Sequence, residues 1–512
     1  MTATAQTKSA PPGPAPGLDG NQVALIKIWH GTLDPPRPPM GLLFVGAALK
    51  KAGFAVKVYH WTKDEALAGL PAVIAQRPFL VGLSIITGDP LALVLDCAQR
   101  LKAALPGVAV VLGGVHATVE PAQCLAEDAV DYVVLGEGEE TAVALALALA
   151  AGAPVADIPG LGYKRDGRPV VNPRPPLIKD LDQHDMDWSL IPVEKYIAPE
   201  YEGVRRVLFG YVASRGCPHA CGFCYNHFFN QRTWRKQSPE KVIADIDALK
   251  RQYDLGGVFF YDDNFTANKK WALSVLEGLK TGGLHVETRV DYLSPEFLAD
   301  LAGRGVGSLF IGMESGSDRV LDLLQKGFHA ADARRVVEML KTFPGFVMLS
   351  FIVGAPSETL AEYQATLRLV LHCLESLPRV GFTLGFFLPY PGTPLFEMCV
   401  ARGFARPARL ADWEALDRWG GTDLAIPWTE GYRLTTSEVK QLRGVLLRMK
   451  QSRRRGDPLG RLWHHLLRQR FLRSATPAGR RLARLVAWVD DRAGRGGALG
   501  RFLAKVTGAG PV

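Results

Sequence analysis

Ser214-Arg215-Gly216-Cys217-Pro218-His219-Ala220-Cys221-Gly222-Phe223-Cys224-Tyr225 puts three cysteines in one tight loop with the spacing C-x3-C-x2-C. Three thiolates hold three irons of a [4Fe–4S] cluster, and clusters of this kind ordinarily take four cysteine ligands. The fourth iron is then free to bind something that is not protein, which points to catalysis and not to plain electron transfer. A structural zinc knuckle or a set of buried free thiols is the bland alternative.

The chain has 512 residues, 47% of them apolar, which is enough for two or three cored domains and excludes global disorder. Cys97, Cys124, Cys373 and Cys399 are scattered through apolar periodic segments and read as core residues, a usage that fits a reducing cytoplasm. Residues 1–20, rich in Pro, Ala and Gly, read as a disordered leader that is neither signal nor transit peptide. No apolar run reaches the roughly 18 residues of a membrane-spanning helix. Residues 441–512 hold 17 Arg and Lys against 3 Asp, whereas the whole chain carries +9, so the rest is net acidic.

Outward from the loop, two series of alternating strands and helices appear. Strands are expected in the first at Val23–Ile28, Phe54–His60, Leu80–Ile86, Val108–Leu112 and Tyr132–Leu135, which describes a five-stranded parallel α/β sheet over 21–152. Ligands bind beyond the carboxyl ends of such strands. The residues there are Ser84 to Asp89, Gly113-Gly114-Val115-His116, and Gly136-Glu137-Gly138-Glu139-Glu140. A hairpin is expected around Asp166-Gly167, in a proline-rich linker over 153–204. The second series, over 205–400, has strands at Val207–Ala213, Gly257–Tyr261, His285–Arg289, Ser308–Gly312, Phe346–Val353 and Gly381–Phe386. The cysteine loop follows the first of these, at the carboxyl mouth where barrel active sites lie.

The loop resembles the hallmark of the radical S-adenosylmethionine (radical SAM) superfamily, C-x3-C-x-aromatic-C, with Phe223 as the aromatic. The first series resembles the cobalamin-binding domain found ahead of radical SAM barrels, through Pro38 to Leu42, Gly82-Leu83-Ser84, Gly113 to Thr118 and Asp131 to Glu139. The resemblance implies an α/β chain in three parts. A five-stranded Rossmann-like cobalamin-binding domain comes first, then a partial (β/α)6 radical SAM barrel, and last a helical C-terminal region over 401–512. It implies three cofactors: a [4Fe–4S] cluster on Cys217, Cys221 and Cys224, S-adenosylmethionine (SAM), and cobalamin. Cobalamin contacts are expected from Ser84, Gly113, Gly114, His116, Gly136, Glu137, Gly138 and Glu139. SAM contacts are expected from Phe223, Asp263, Arg289, Glu314, Ser315, Gly354 and Glu358, with at most one of Asp262 and Asp263 facing the site. Arg289 has a competing role as partner of Asp291, and Glu358 as a helix cap. The motif D-x-H-x-x-G, which supplies a histidine ligand to cobalt in some cobalamin proteins, is absent; Trp29 to Pro35 stands in its place, and His30 reads as a loop residue.

The activity implied is cobalamin-dependent C-methylation of an unactivated carbon. One SAM methylates the corrinoid and a second yields the 5′-deoxyadenosyl radical that abstracts substrate hydrogen. The alternatives are a radical SAM cyclase, oxidase or rearrangement enzyme, and a non-catalytic cobalamin-binding sensor. A small-molecule or lipid-like substrate and an electron donor such as flavodoxin or ferredoxin are the expected partners. In the tail, helices opening at Pro458 and Pro477 put Leu459, Leu462, Trp463, Leu466, Leu467 and Phe471, then Leu482, Leu485, Val486 and Val489, on apolar faces, with Arg461, Arg468 and Arg470 on or beside the opposite face. Packing on the protein's own surface is the first reading, with peripheral membrane contact of a cytoplasmic protein second; no nucleic acid is expected. Trp413, Trp419 and Trp428 are expected in the core of a cap over the barrel.

Overall fold

The computed structural model describes residues 18–31, 33–416, 426–452 and 458–493. Most of the leader, Trp419 and the end of the basic tail lie outside the described residues.

In the first half, strands β1 (Asp19–Trp29), β2 (Ala55–Thr62), β3 (Pro78–Ser84), β4 (Ala109–Gly113) and β5 (Tyr132–Val134) pair in parallel in the order β2-β1-β3-β4-β5. Their near-continuous Val, Ile and Leu content follows from burial on both faces. Asp166 and Gly167 both take positive φ, 52° and 73°, the geometry of a type I′ turn. The hairpin they close, β6 (Leu161–Arg165) and β7 (Arg168–Val171), is not free linker. It pairs antiparallel on β5 and lengthens this sheet to seven strands.

Strands β8 (Ile197–Tyr201) and β9 (Val204–Tyr211) form an antiparallel edge pair, and the short strands β10 (Ser214–Arg215) and β11 (Arg235–Lys236) pair with each other across the cysteine loop. The second large sheet continues from β9 through β12 (Gly257–Phe260), β13 (Leu284–Arg289), β14 (Val306–Glu314), β15 (Phe346–Val353) and β16 (Val380–Phe386), all parallel. This is the expected open barrel of six parallel strands. Its helices start where the sequence supplies caps: the Ser238 hydroxyl accepts from Lys241 N–H at 3.2 Å, with Pro239 in the first turn. The lower lumen is closed by stacked rings, Phe209 on Phe259 at 4.1 Å and Phe259 on His285 at 3.9 Å between centroids.

The cap ties both halves together. Trp413 and Trp428 are fully buried; Trp413 Nε1 donates to Gln123 of the first domain at 2.6 Å, and Trp428 Nε1 to the Gly354 carbonyl at 2.6 Å. Helices Thr436–Ser452, Pro458–Leu472 and Pro477–Ala493 then pack in series. Trp463, Leu467 and Phe471 are buried as expected, but Leu462 and Leu485 face outward at 56% and 44% exposure, and Arg470 is buried. The buried apolar stripe of Pro458–Leu472 is the four-residue series Trp463, Leu467 and Phe471, narrower than the sequence pattern suggests. Among the described residues no helix is long and apolar enough to cross a membrane.

Candidate active site at the junction of two sheets

The cysteine loop is held from below by two adjacent acids. Regular strand pairing in β12 stops at Phe260, so the alternation expected of Asp262 and Asp263 is lost and both carboxyls turn to the loop. Ser214 Oγ donates to Asp262 at 2.5 Å, and Ala213 N–H donates at 3.3 Å. Asp263 accepts from Gly216 N–H at 2.9 Å and from the Tyr225 hydroxyl at 2.5 Å. Burial pushes Asp262 up to about 7 and raises Asp263 as well. Asp263, expected among the SAM contacts, is therefore occupied in shaping the loop. Gly216 has φ +85°, and a Cβ there would lie 2.1 Å from the Thr233 carbonyl oxygen, so this turn requires glycine. His219 Nε2 meets the Tyr292 hydroxyl at 2.6 Å and His227 Nε2 the Ala220 carbonyl at 2.8 Å, which assigns both histidines to the loop's frame.

Cys217 and Cys221 are buried and Cys224 half-buried; all three are free thiols, and Cys224 feels the charge of the other two. Burial pushes Cys224 up to about 12. Among the described residues no three His, Cys, Asp or Glu side chains converge as ligands of one metal ion. Thiolates of a cubane cluster bind separate irons, so three neighbouring thiols that do not meet at one point are the donor set such a cluster needs. Asn264 Nδ2 stands 3.5 Å from Cys217 Sγ and Arg289 Nη1 3.5 Å from Cys221 Sγ, placing donors where the sulfurs would carry negative charge.

Arg289 takes the competing role expected of it, beside the cysteine loop. It is paired with Asp291 at 2.9 Å, and it also donates to the Lys326 carbonyl and faces Cys221. Glu314, at φ +60°, forms a buried ion pair with Lys326 at 3.0 Å. Its second oxygen is buried without a partner, an acceptor of the kind the amino group of SAM needs. Lys326 Nζ also lies 5.9 Å from the Phe223 ring centre. Ser315 and Glu358 have partners of their own, although Glu358 keeps one buried oxygen without one. Ser315 Oγ is 2.9 Å from Thr366 Oγ1, while Glu358 accepts from Gly354 N–H and the Tyr432 hydroxyl, each at 2.6 Å. Burial pushes Glu358 up to about 7.

Above the loop lies a cleft of about 350 Å³ bounded by both domains. Ser84, Gly113, Gly114, Gly136, Glu137, Gly138 and Glu139 line it from the first sheet, and Arg215, Tyr225, Tyr261 and Asp263 from the second. Its deep end, among Leu25, Leu49, Gly82, Val111 and Leu145, is apolar, and a Cβ on Gly82 would lie 2.8 Å from a Leu25 methyl. A slot of this shape, glycine-rich at its mouth, fits the apolar parts of a corrinoid. His116 is not part of it. Its ring turns to Trp413 at 5.3 Å, Nδ1 meets Thr87 Oγ1 at 2.9 Å, and burial holds it down to about 4.

Gly82 entered the sequence reading only as part of a motif, and three residues escaped it as site residues: Arg215, Lys326 and Glu287. The last had a visible signal, since His285, Glu287 and Arg289 alternate on one face of β13, the face that turns to the lumen. Glu287 stands one rung below Arg289 beside Tyr261, on whose ring Arg37 of the first domain lies at 4.2 Å. Burial pushes Glu287 up to about 8, with Arg37 opposing.

Known proteins agree with this architecture. The B12 binding domain matches residues 27–146 and the radical SAM superfamily domain residues 211–370. An uncharacterized methyltransferase of Pyrococcus horikoshii is 31% identical over 372 residues, 71% of this chain and 79% of that protein. The anaerobic magnesium-protoporphyrin IX monomethyl ester cyclase of Cereibacter sphaeroides is 30% identical over 384 residues, 70% of this chain and 60% of that protein. The radical SAM methyltransferase TsrM from Kitasatospora setae, solved with cobalamin and a [4Fe–4S] cluster, shares the fold at TM-score 0.61 and 18% identity, covering 89% of this chain and 99% of that one.

The fold and site define a two-domain radical SAM enzyme. The chain belongs to the cobalamin-dependent radical SAM family, whose cofactors are a [4Fe–4S] cluster, SAM and cobalamin.

Proposed function

We propose that this enzyme is a C-methyltransferase acting on an unactivated carbon. The observation that carries the reading is the shared cleft: Gly113, Gly136 and Glu137 of the cobalamin-binding domain line the same space as Arg215, Tyr225 and Asp263 around the cysteine loop. Bringing the methyl carrier and the radical source to one space is the physical reason to fuse these domains. When bound, the cluster supplies the electron that cleaves SAM, and the corrinoid carries the methyl group. The chain's own residues bind and orient. Cys217, Cys221 and Cys224 hold the cluster, the unpartnered Glu314 oxygen receives the SAM amino group, and Arg289 fixes the strand end beside Cys221. Stacked rings occupy the lumen on the side away from the mouth. The methyltransferase relative from Pyrococcus horikoshii supports this reading, and the cyclase relative supports the second, cyclisation on the same scaffold.

Product analysis tests it. Anaerobically reconstituted enzyme with hydroxocobalamin, SAM and reductant is offered candidate acceptors, and methylation is read as S-adenosylhomocysteine formed together with 5′-deoxyadenosine. Substrate-dependent 5′-deoxyadenosine without S-adenosylhomocysteine favours the cyclase reading. Cys221→Ala is expected to abolish SAM cleavage and retain corrinoid. A flavodoxin- or ferredoxin-type donor and a small-molecule or lipid-like substrate belong to the same proposal. So does contact of the arginine-rich face around Leu485 and Trp488, both 44% exposed, with an anionic membrane, tested by co-flotation with phosphatidylglycerol vesicles.

A further inference from the structure

Arg215 stands two residues ahead of Cys217, yet its partners belong to the other domain. Nη1 lies 2.7 Å from Glu137 and donates to it; Nη2 lies 2.7 Å from Glu139, an ion contact without hydrogen-bond alignment. The guanidinium also covers the Phe44 ring at 4.2 Å. Arg235, on the strand paired with Ser214–Arg215, donates to the second Glu137 oxygen and to the Ile178 carbonyl, each at 2.7 Å. Side-chain exposures are 14% for Arg215, 7% for Glu137, 4% for Glu139 and 7% for Arg235. Nearby, Arg174 donates to the Phe228 and Phe229 carbonyls at 2.5 and 2.7 Å, just beyond the loop.

A buried network of this kind adds little net stability, because desolvation offsets attraction, and its best-attested use is to set register between the parts it joins. Here the parts are specific. Phe44, Glu137 and Glu139, which grip Arg215, also line the cleft, while Arg215 begins the loop that carries the cluster ligands. Any occupant of the cleft that repositions those three side chains must move the loop or be resisted by it. We infer that Arg215 is a positioning residue that couples occupancy of the corrinoid cleft to the conformation of the cluster loop. Such coupling is reciprocal: the occupant steadies the cluster as much as the cluster steadies the occupant. The inference rests on reading the cleft as the corrinoid site.

Iron release tests it without turnover. Cluster-loaded full-length protein, with and without saturating hydroxocobalamin, is mixed with excess ferrous chelator and reductant, and the coloured iron complex is followed. In the wild type, hydroxocobalamin is expected to slow release about fivefold or more. In Arg215→Gln the two rates are expected to coincide. Glu139→Gln, which leaves the Glu137 contact, is expected to fall between, and it carries the test if Arg215→Gln does not fold. A wild-type ratio retained in both variants overturns the inference. Hydroxocobalamin that binds the wild type and leaves its release rate unchanged overturns the inference alone. Failure of the wild type to retain hydroxocobalamin overturns it together with the reading of the cleft.

Discussion

Gly216 N–H donates to Asp263 Oδ2 at 2.9 Å while the Tyr225 hydroxyl donates to Oδ1 at 2.5 Å, so one carboxylate grips the cysteine loop just before its first ligand and just after its last. Asp263→Ala leaves both donors buried and unpaired, at about 1–3 kcal/mol each. Iron and sulfide content after reconstitution is expected to fall by more than half. Asp263→Asn keeps an acceptor for one of the two donors and is expected to retain intermediate content. Full cluster content in Asp263→Ala would show that the loop holds its shape without this clamp.

The Glu314–Lys326 pair is buried on both sides, at 8% and 5% exposure. Lys326→Met strands a buried carboxylate, for which a loss of about 3–5 kcal/mol is expected. Anaerobic urea denaturation measures it. The double variant with Glu314→Gln should regain most of the stability but not the affinity for SAM, separating the structural role of the pair from the binding role of Glu314.

Glu287 sits at about 8 against an ordinary value of 4.5 because burial penalises its charged form. Between those values the native state keeps a proton that the unfolded state has released, so stability falls as pH rises through the window, by at most about 1.4 kcal/mol per unit for this group. Glu287→Gln is expected to flatten the decline measured by denaturation from pH 5.5 to 7.5. An unchanged slope would mean that the lumen hydrates this carboxyl fully.

Gly82 lines the deep end of the cleft, and a Cβ there would already lie 2.8 Å from a Leu25 methyl. Gly82→Val forces Leu25 to move and crowds the cleft, and hydroxocobalamin retention after gel filtration is expected to drop at least tenfold while iron content stays at the wild-type level. Equal retention would move the corrinoid out of this slot.

The parallel strands of both sheets were legible because each reads as a short apolar run bounded by turn signals, and a run buried on both faces admits little else. The cysteine loop was legible because three cysteines within eight residues bring their own spacing. The SAM candidates were less so: Arg289 and Glu314 reach the cysteine loop or a buried pair beside it, but Ser315 and Glu358 brace strand ends against the elements behind them. His116 shows why. Its place after β4 put it at the correct end of the sheet, but the side chain's direction depends on Trp413, nearly 300 residues away in sequence.

Local chemistry along the chain therefore determined the two-domain α/β architecture, the cluster loop and the class of chemistry, because spacing, periodicity and turn residues act over a few neighbours. Tertiary structure alone decided that Glu137 and Glu139 would hold Arg215, that Lys326 would pair with Glu314, and that the cleft would open between the domains. Those partners lie between 12 and 78 residues apart, and only packing, which pays for each buried charge with a partner, brings them together.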